Sequence, residues 1–336
     1  SWAPASGQCS KPADSARIHF SLLRETDYSE FAKAFLEVFH HEMPETLFAF
    51  KYGQGRGSGL VARDSQGRLV GYYGFTRRFI HFERKRVQAL QVCDVFTVRK
   101  ERGILGRRGV FHQLARLFQS LHLDPGGEIA FAYGFPNQRA MIVAERGGLY
   151  VESDHVFQRR WPRKPLSSGP LKIWQLEEGT PPDKAISRLW NIMRKSLQGL
   201  MLQERDENYF RERYCHHPLF NYRFLLLQSR WPGIRAKGLL IIREDPDATR
   251  LMDFIGDPRY LSRAIDLLQE RLFVENPEGS PILAWATPNV LGYLDPNQGE
   301  TEDTGVSIPV NALIETMPWS QLKGRWWTSF GDTDFL

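Results

Sequence analysis

Residues 90–121, LQVCDVFTVRKERGILGRRGVFHQLARLFQSL, constrain the fold of this chain more than any other stretch. A β-branched apolar run reads as a strand, an Arg/Gly-rich loop follows, and the loop opens a segment with apolar residues at three-to-four spacing. That order sets the unpaired backbone N–H groups of a helix start beside the end of a strand. The helix dipole adds partial positive charge at the same point. A glycine-rich turn with arginines there suits a phosphate or pyrophosphate. The predicted fold class is α/β: a mixed α+β sheet with helices laid on it.

Around this feature the pattern predicts a strand at 18–23, then a helix opened by Asp27 with Phe31, Phe35, Val38 and Phe39 on one face. A hairpin follows over 60–63 and 69–75, then a strand arm at 79–82, the basic turn Arg84-Lys85-Arg86 and the strand 90–98. After the helix 110–121 come a strand at 129–133, the turn Phe135-Pro136-Asn137, a short helix at 140–145 and a strand at 150–161. Residues 163–170 read as a linker. Beyond it the order runs again: a strand at 171–176, a helix from Asp183, strands at 222–228, 234–242 and 250–255, a helix opened by Asp257-Pro258, and a strand at 282–285. A repeat of this length predicts tandem domains, 17–162 and 171–336, behind a tail over 1–16.

The chain has 336 residues, enough for two cores, with the hydrophobic (42%) and charged (25%) content of an ordinary globular protein. It has no apolar run of roughly 18 residues and no leader-like start, so neither membrane insertion nor export is expected and a cytoplasmic location is. The net charge of +5 suits an acidic ligand, but the basic residues are dispersed and lack aromatic interleaving, so no nucleic-acid partner is expected. Cys9, Cys93 and Cys215 form no C-x-x-C pair, and the adjacent pairs His40-His41 and His216-His217 point different ways. No disulfide framework and no metal site is expected.

The first unit resembles the GNAT superfamily of acyl-CoA N-acyltransferases. The residues that carry the resemblance are QVCDVFTV at 91–98, Gly106-Arg107-Arg108-Gly109, Val110-Phe111-His112-Gln113-Leu114, GFPN at 134–137 and ERGGLY at 145–150. The second unit is similar to the degenerate half of tandem GNAT proteins, through Asp206, Tyr209, Phe210, Arg213, Tyr214, Cys215, His217, Pro218, Tyr222 and the closing Gly331, Asp332 and Asp334. The resemblance implies acetyl-CoA or another acyl-CoA as co-substrate, without a metal. It puts Gly106, Arg107, Arg108, Gly109 and Val110 on the pyrophosphate, Phe96, Thr97 and Val98 along the pantetheine and acyl carbonyl, and Asn137 at a coenzyme-contacting turn. It implies transfer to the primary amine of a small molecule or amino sugar by direct attack. The family pattern Gln/Arg-x-x-Gly-x-Gly/Ala is not kept: laid on Gly109, it meets Gly106 and Phe111 at its first and last places.

Acyl transfer to an amine needs a base, a donor for the carbonyl and a proton source for the leaving thiolate. Asp94, a carboxylate in the apolar face of Leu90, Val92, Phe96 and Val98, is the expected base; the alternative is a structural aspartate with a fixed partner. Tyr133 is the expected acid, with Tyr150 as a second candidate, and the alternative for each is a core aromatic with a bonded hydroxyl. Asn137 would serve equally as a helix N-cap, and Arg107 and Arg108 as solvated charges. Residues 326–336 read either as a closing strand or as a segment bringing Asp332, Asp334 or the terminal carboxylate toward the amine. Asp257 and Pro258 at the second helix start repel an anion and remove a donor, so a single coenzyme site is expected. Two other functions compete, a catalytically inactive acyl-CoA-binding or assembly module and an acyltransferase fed by an acyl carrier protein. The sequence sets no oligomeric state.

Overall fold

The structure is a computed structural model that describes residues 18–98, 109–123, 127–165, 169–176, 183–229, 235–311 and 317–333. The first half opens with β1 (His19–Leu22), α1 (Tyr28–Phe39) and α2 (Glu45–Tyr52). It continues through β2 (Gly57–Arg63), β3 (Leu69–Phe82), β4 (Lys85–Thr97), α3 (Val110–His122), β5 (Ile129–Gly134), α4 (Gln138–Arg146) and β6 (Tyr150–Trp161). The second half holds β7 (Leu171–Gln175), α5 (Asp183–Ser196), β8 (Met201–Gln203), α6 (Glu207–Phe210), β9 (Arg223–Ser229), β10 (Gly238–Glu244) and β11 (Thr249–Gly256). It ends with α7 (Leu261–Glu275), β12 (Ile282–Ala286), α8 (Pro288–Leu291), β13 (Glu300–Asn311), α9 (Trp319–Leu322) and β14 (Trp326–Trp327).

The two halves follow one plan. Each has an antiparallel run ending in a strand that a helix connects to a parallel neighbour, β4–α3–β5 in the first and β11–α7–β12 in the second. A parallel pair requires such a crossover. The halves then exchange their last strands. The sheet runs β1-β2-β3-β4-β5-β13-β6-β12-β11-β10-β9-β7, so β13 lies between β5 and β6, and β6 lies between β13 and β12. One sheet therefore crosses the whole molecule without a gap.

Helix α3 packs on one face of the first half through Val110, Leu114, Ala115 and Phe118, against Leu60, Ala62, Val70, Tyr73, Phe75 and Leu90. Its close approach depends on Gly71, where an added Cβ would stand 2.8 Å from Val110 Cγ1. The opposite face carries α1 and α2, with Phe31, Phe35, Leu47, Phe48, Tyr52, Tyr72 and Phe96 in one cluster. Further along the sheet, Phe131, Tyr133, Val156, Ile308, Val310 and Trp326 make a core to which both halves contribute.

Candidate functional site

Strand β4 carries the geometry of the site. Its register with β3 runs evenly up to Gly74–Cys93 and resumes at Tyr72–Phe96, so Asp94 and Val95 together face Tyr73. This is a β-bulge, and Asp94 sits in it with φ 52°, a left-handed conformation that aspartate adopts more readily than most residues. The extra residue reverses the alternation of side chains. Leu90 packs under α3, while Phe96 packs into the cluster of α1 and α2. The single apolar face expected for Leu90, Val92, Phe96 and Val98 is thus divided between the two sides of the sheet.

The bulge also parts β4 from β5. Their parallel pairing ends at Val92–Gly134, and β4 runs on to Thr97 against β3 alone. The Val98 amide donates to the Val70 carbonyl at 3.0 Å. Alternation along an antiparallel pair then directs the Phe96 amide to β3 as well, and turns those of Val95 and Thr97 toward the side that β5 has left. Of the three residues expected along the acyl carbonyl, Thr97 is the one whose amide faces this opening. Phe96 contributes a buried ring, and Val98 is tied to β3.

Helix α3 begins nearby with the buried Gly109 as its N-cap, a residue with no side chain of its own to cap the helix. Its first turn, beginning at Val110, directs backbone N–H groups out of the helix end, the geometry that an anion site uses. Gly106, Arg107 and Arg108 lie outside the described residues, as do Asp334 and the terminal carboxylate. Asn137 is exposed and caps α4, its side chain accepting from the Ala140 amide at 3.0 Å.

Two groups from the last turn of α2 hold Asp94, and sequence reasoning missed both. Lys51 Nζ lies 2.7 Å from Asp94 Oδ2, and the Tyr52 hydroxyl donates to the same oxygen at 2.5 Å. Burial, reinforced by the negative charge of Asp94, holds the Tyr52 phenol well above its ordinary range, so it stays protonated and donates. Both contacts fall on Oδ2. The carboxylate keeps Oδ1 for another partner, and its side chain is 13% exposed.

Tyr133 is deeply buried on β5, donates to Gln203 Oε1 at 3.1 Å and packs against Trp326. Tyr150 is paired to the Tyr73 hydroxyl at 2.9 Å on the α3 side, its phenol raised by burial. The structure thus brings together Asp94, the Thr97 amide and the start of α3 around one opening. It commits the hydroxyls of Tyr133 and Tyr150 to protein partners.

The matching opening in the second half is filled. β11 and β12 pair only over Thr249–Leu251 and Ile282–Ala284. Beyond that point a turn at 330–332 inserts, with Phe330 stacked on Trp285 at 4.8 Å. Arg205, fully buried, donates from Nε to Asp253 at 2.9 Å and from Nη2 to Asp332 at 2.8 Å. Burial works against its charge, but the two carboxylates outweigh it and keep it protonated. Asp332 is therefore spent inside the second half. At the start of the 3-10 turn that precedes α7, the Asp257 side chain accepts from the Arg259 amide and faces the Arg259 guanidinium, the place an anion would need.

Known proteins resemble this chain at the level of the fold. Residues 19–143 match the sequence profile of the acetyltransferase (GNAT) domain. No curated protein matches the chain in sequence. Among solved structures, a probable N-acyltransferase from Enterococcus faecalis V583 superposes with TM-score 0.66 at 10% identity, covering 88% of this chain and 72% of that one. A tandem GNAT protein from the clavulanic acid biosynthesis pathway gives TM-score 0.56 at 10% identity over 88% and 98%. The Saccharomyces cerevisiae N-myristoyltransferase with bound myristoyl-CoA gives 0.52 at 9% over 91% and 85%. The fold of the chain is thus similar to that of GNAT proteins. More particularly, the match to the acetyltransferase (GNAT) domain lies in the N-terminal half, and the whole chain shares its fold with a tandem GNAT protein.

Proposed function

We propose that this chain is an N-acyltransferase that takes an acyl group from acyl-CoA, acetyl-CoA in the simplest case, and delivers it to the primary amine of a small molecule. One observation carries the reading: the bulge at Asp94 opens β4 from β5 and presents a carboxylate oxygen beside the opening. Support for the coenzyme comes from β4, which turns backbone amides toward the opening, and from the start of α3, where a glycine N-cap lets a pyrophosphate approach the helix end. The bound thioester supplies an acyl carbon open to attack and a thiolate that leaves. The Thr97 amide donates toward the carbonyl oxygen, where negative charge grows as the amine adds. Asp94 Oδ1 receives the ammonium of the acceptor and takes its proton. Lys51 and Tyr52 fix Oδ2, so that Oδ1 keeps one direction.

Titration with acetyl-CoA, followed by thiol release over a panel of amines, tests the proposal. Asp94→Asn keeps the shape and removes the base; coenzyme binding should persist while amine-dependent release falls by about 10²-fold or more. Binding with no acceptor-dependent release from the unaltered protein would instead establish the second reading, an acyl-CoA-binding module. That reading is favoured by the contacts Asp94 already makes to Lys51 and Tyr52.

A further inference from the structure

The matching opening of the second half is filled, yet its deeply buried polar cluster around Arg205 lies within reach of the first half's site. We propose that Arg205 is a positioning residue that sets how far β4 and β5 stand apart at the acyl opening; this rests on the acyltransferase reading above.

Two hydrogen-bonded branches leave the guanidinium. In one, Nη2 donates to the Asp332 carboxylate at 2.8 and 2.9 Å, and the Asp332 carbonyl accepts from Gln91 Nε2 on β4 at 3.0 Å. Gln91 Oε1 accepts in turn from Arg78 Nε on β3 at 2.9 Å. In the other, Nη1 donates to the Gln203 carbonyl at 2.7 Å, and Gln203 Oε1 accepts from the Tyr133 hydroxyl on β5 at 3.1 Å. A cross-link joins them: Gln203 Nε2 donates to the Tyr209 hydroxyl at 2.9 Å, which donates to the Gly331 carbonyl at 3.0 Å.

The ends of the branches matter most. Gln91 and Tyr133 are partners in the β4–β5 register, one step before Val92–Gly134, where pairing stops. The cluster therefore grips both strands at the hinge of the opening. Its own seat is rigid. Arg205 is fully buried, and a Cβ on Gly331 would overlap the Tyr214 hydroxyl. A buried arginine between two carboxylates contributes little stability beyond what apolar side chains of the same volume would give, because of desolvation. What it supplies is direction, since the planar fork fixes several bonds at once. The second half, its own opening filled, thus holds the first half's opening to one width.

Hydrogen exchange on the full chain tests this without depending on turnover. Arg205→Lys keeps the charge and loses the fork; Gln91→Met severs only the β4 branch. Each should speed amide exchange at 91–93 and 132–134 by about tenfold, with β10 protected as before, and weaken acetyl-CoA binding by about threefold or more. Should Arg205→Lys loosen the entire second half, Gln91→Met decides alone. Exchange within about twofold of the unaltered protein in Gln91→Met overturns the proposal. Thiol release by the unaltered protein judges the acyltransferase reading separately: if it fails while exchange responds as stated, the brace stands and the reaction does not.

Discussion

A carboxylate that accepts from an ammonium and a phenol on one oxygen has only the other with which to act. For Asp94 this makes Lys51 and Tyr52 orienting groups, and their removal should cost rate but not coenzyme affinity. Tyr52→Phe is expected to lower amine-dependent turnover by about tenfold at constant acetyl-CoA Kd, the scale of one lost hydrogen bond to a charged group. Because its phenol is held protonated well above the ordinary range, the proposed amine-dependent turnover should lose no rate to Tyr52 ionisation up to about pH 10; a loss near its ordinary value would show that the tyrosine is not buried as described. Gly71 is a second test at this scale. In Gly71→Val the new Cβ would meet Val110 and Leu114 at 2.8 and 3.2 Å and push α3 off β3. Overpacking of this kind costs about 1–3 kcal/mol, read from denaturant midpoints, and the displaced helix start should weaken acetyl-CoA binding in parallel. Asp94 was legible in the sequence as a carboxylate in an apolar strand. Its partners were not, because 47–50, Leu-Phe-Ala-Phe, is apolar without the helical period that would have marked α2.

At the scale of elements, the strand–loop–helix and the hairpin before it were readable because each has one apolar face and a marked start or stop. β13 was not. Its sequence, ETEDTGVSIPVN, opens with three acids in four residues and carries Pro309, which normally argues against an interior strand. The structure accommodates Pro309 at an irregularity in the register with β6, between Ile308 and Pro309. The exchange of last strands left no local trace in the sequence, since it depends on pairing between segments about 150 residues apart. One contact across β6 and β13 reports on it by pH. His155 Nε2 lies 2.6 Å from Asp303 and Nδ1 lies 3.3 Å from Glu152. Burial alone would lower the imidazole, but these bonds outweigh it and raise its proton affinity. A raised histidine contributes stability that is complete below its unfolded value of about 6.5 and is lost as pH rises through the folded value. Thermal melts should therefore show a decline above neutral pH that His155→Gln abolishes; an identical decline in the variant would remove His155 as its cause.

On the scale of the whole molecule, the halves are joined by charge as well as by strands. Glu204, beside β8, accepts from His81 on β3 and from Arg86 on β4 at 2.7 Å each. Burial would raise its carboxyl, but the hydrogen bonds from Arg86 and His81 more than compensate and lower it to about 2. The stability this contributes, on the order of 3 kcal/mol, is present above about pH 4.5 and is lost as pH falls toward 2. The shared sheet makes a stronger demand on the fold. Because β13 lies between β5 and β6, a fragment ending at residue 165 cannot close its own sheet. It would leave β5 without its neighbour and expose Phe131, Tyr133 and Val156, which pack against Ile308, Val310 and Trp326. Unpaired edges and bare apolar surface of this kind lead to aggregation. A fragment of residues 18–165 is thus expected to be insoluble or dye-binding when expressed alone, and to become soluble when residues 166–336 are co-expressed as a separate chain. A fragment that unfolds cooperatively by itself, with dispersed amide resonances, would show that each half is a complete domain and that the exchanged strand is dispensable to the first.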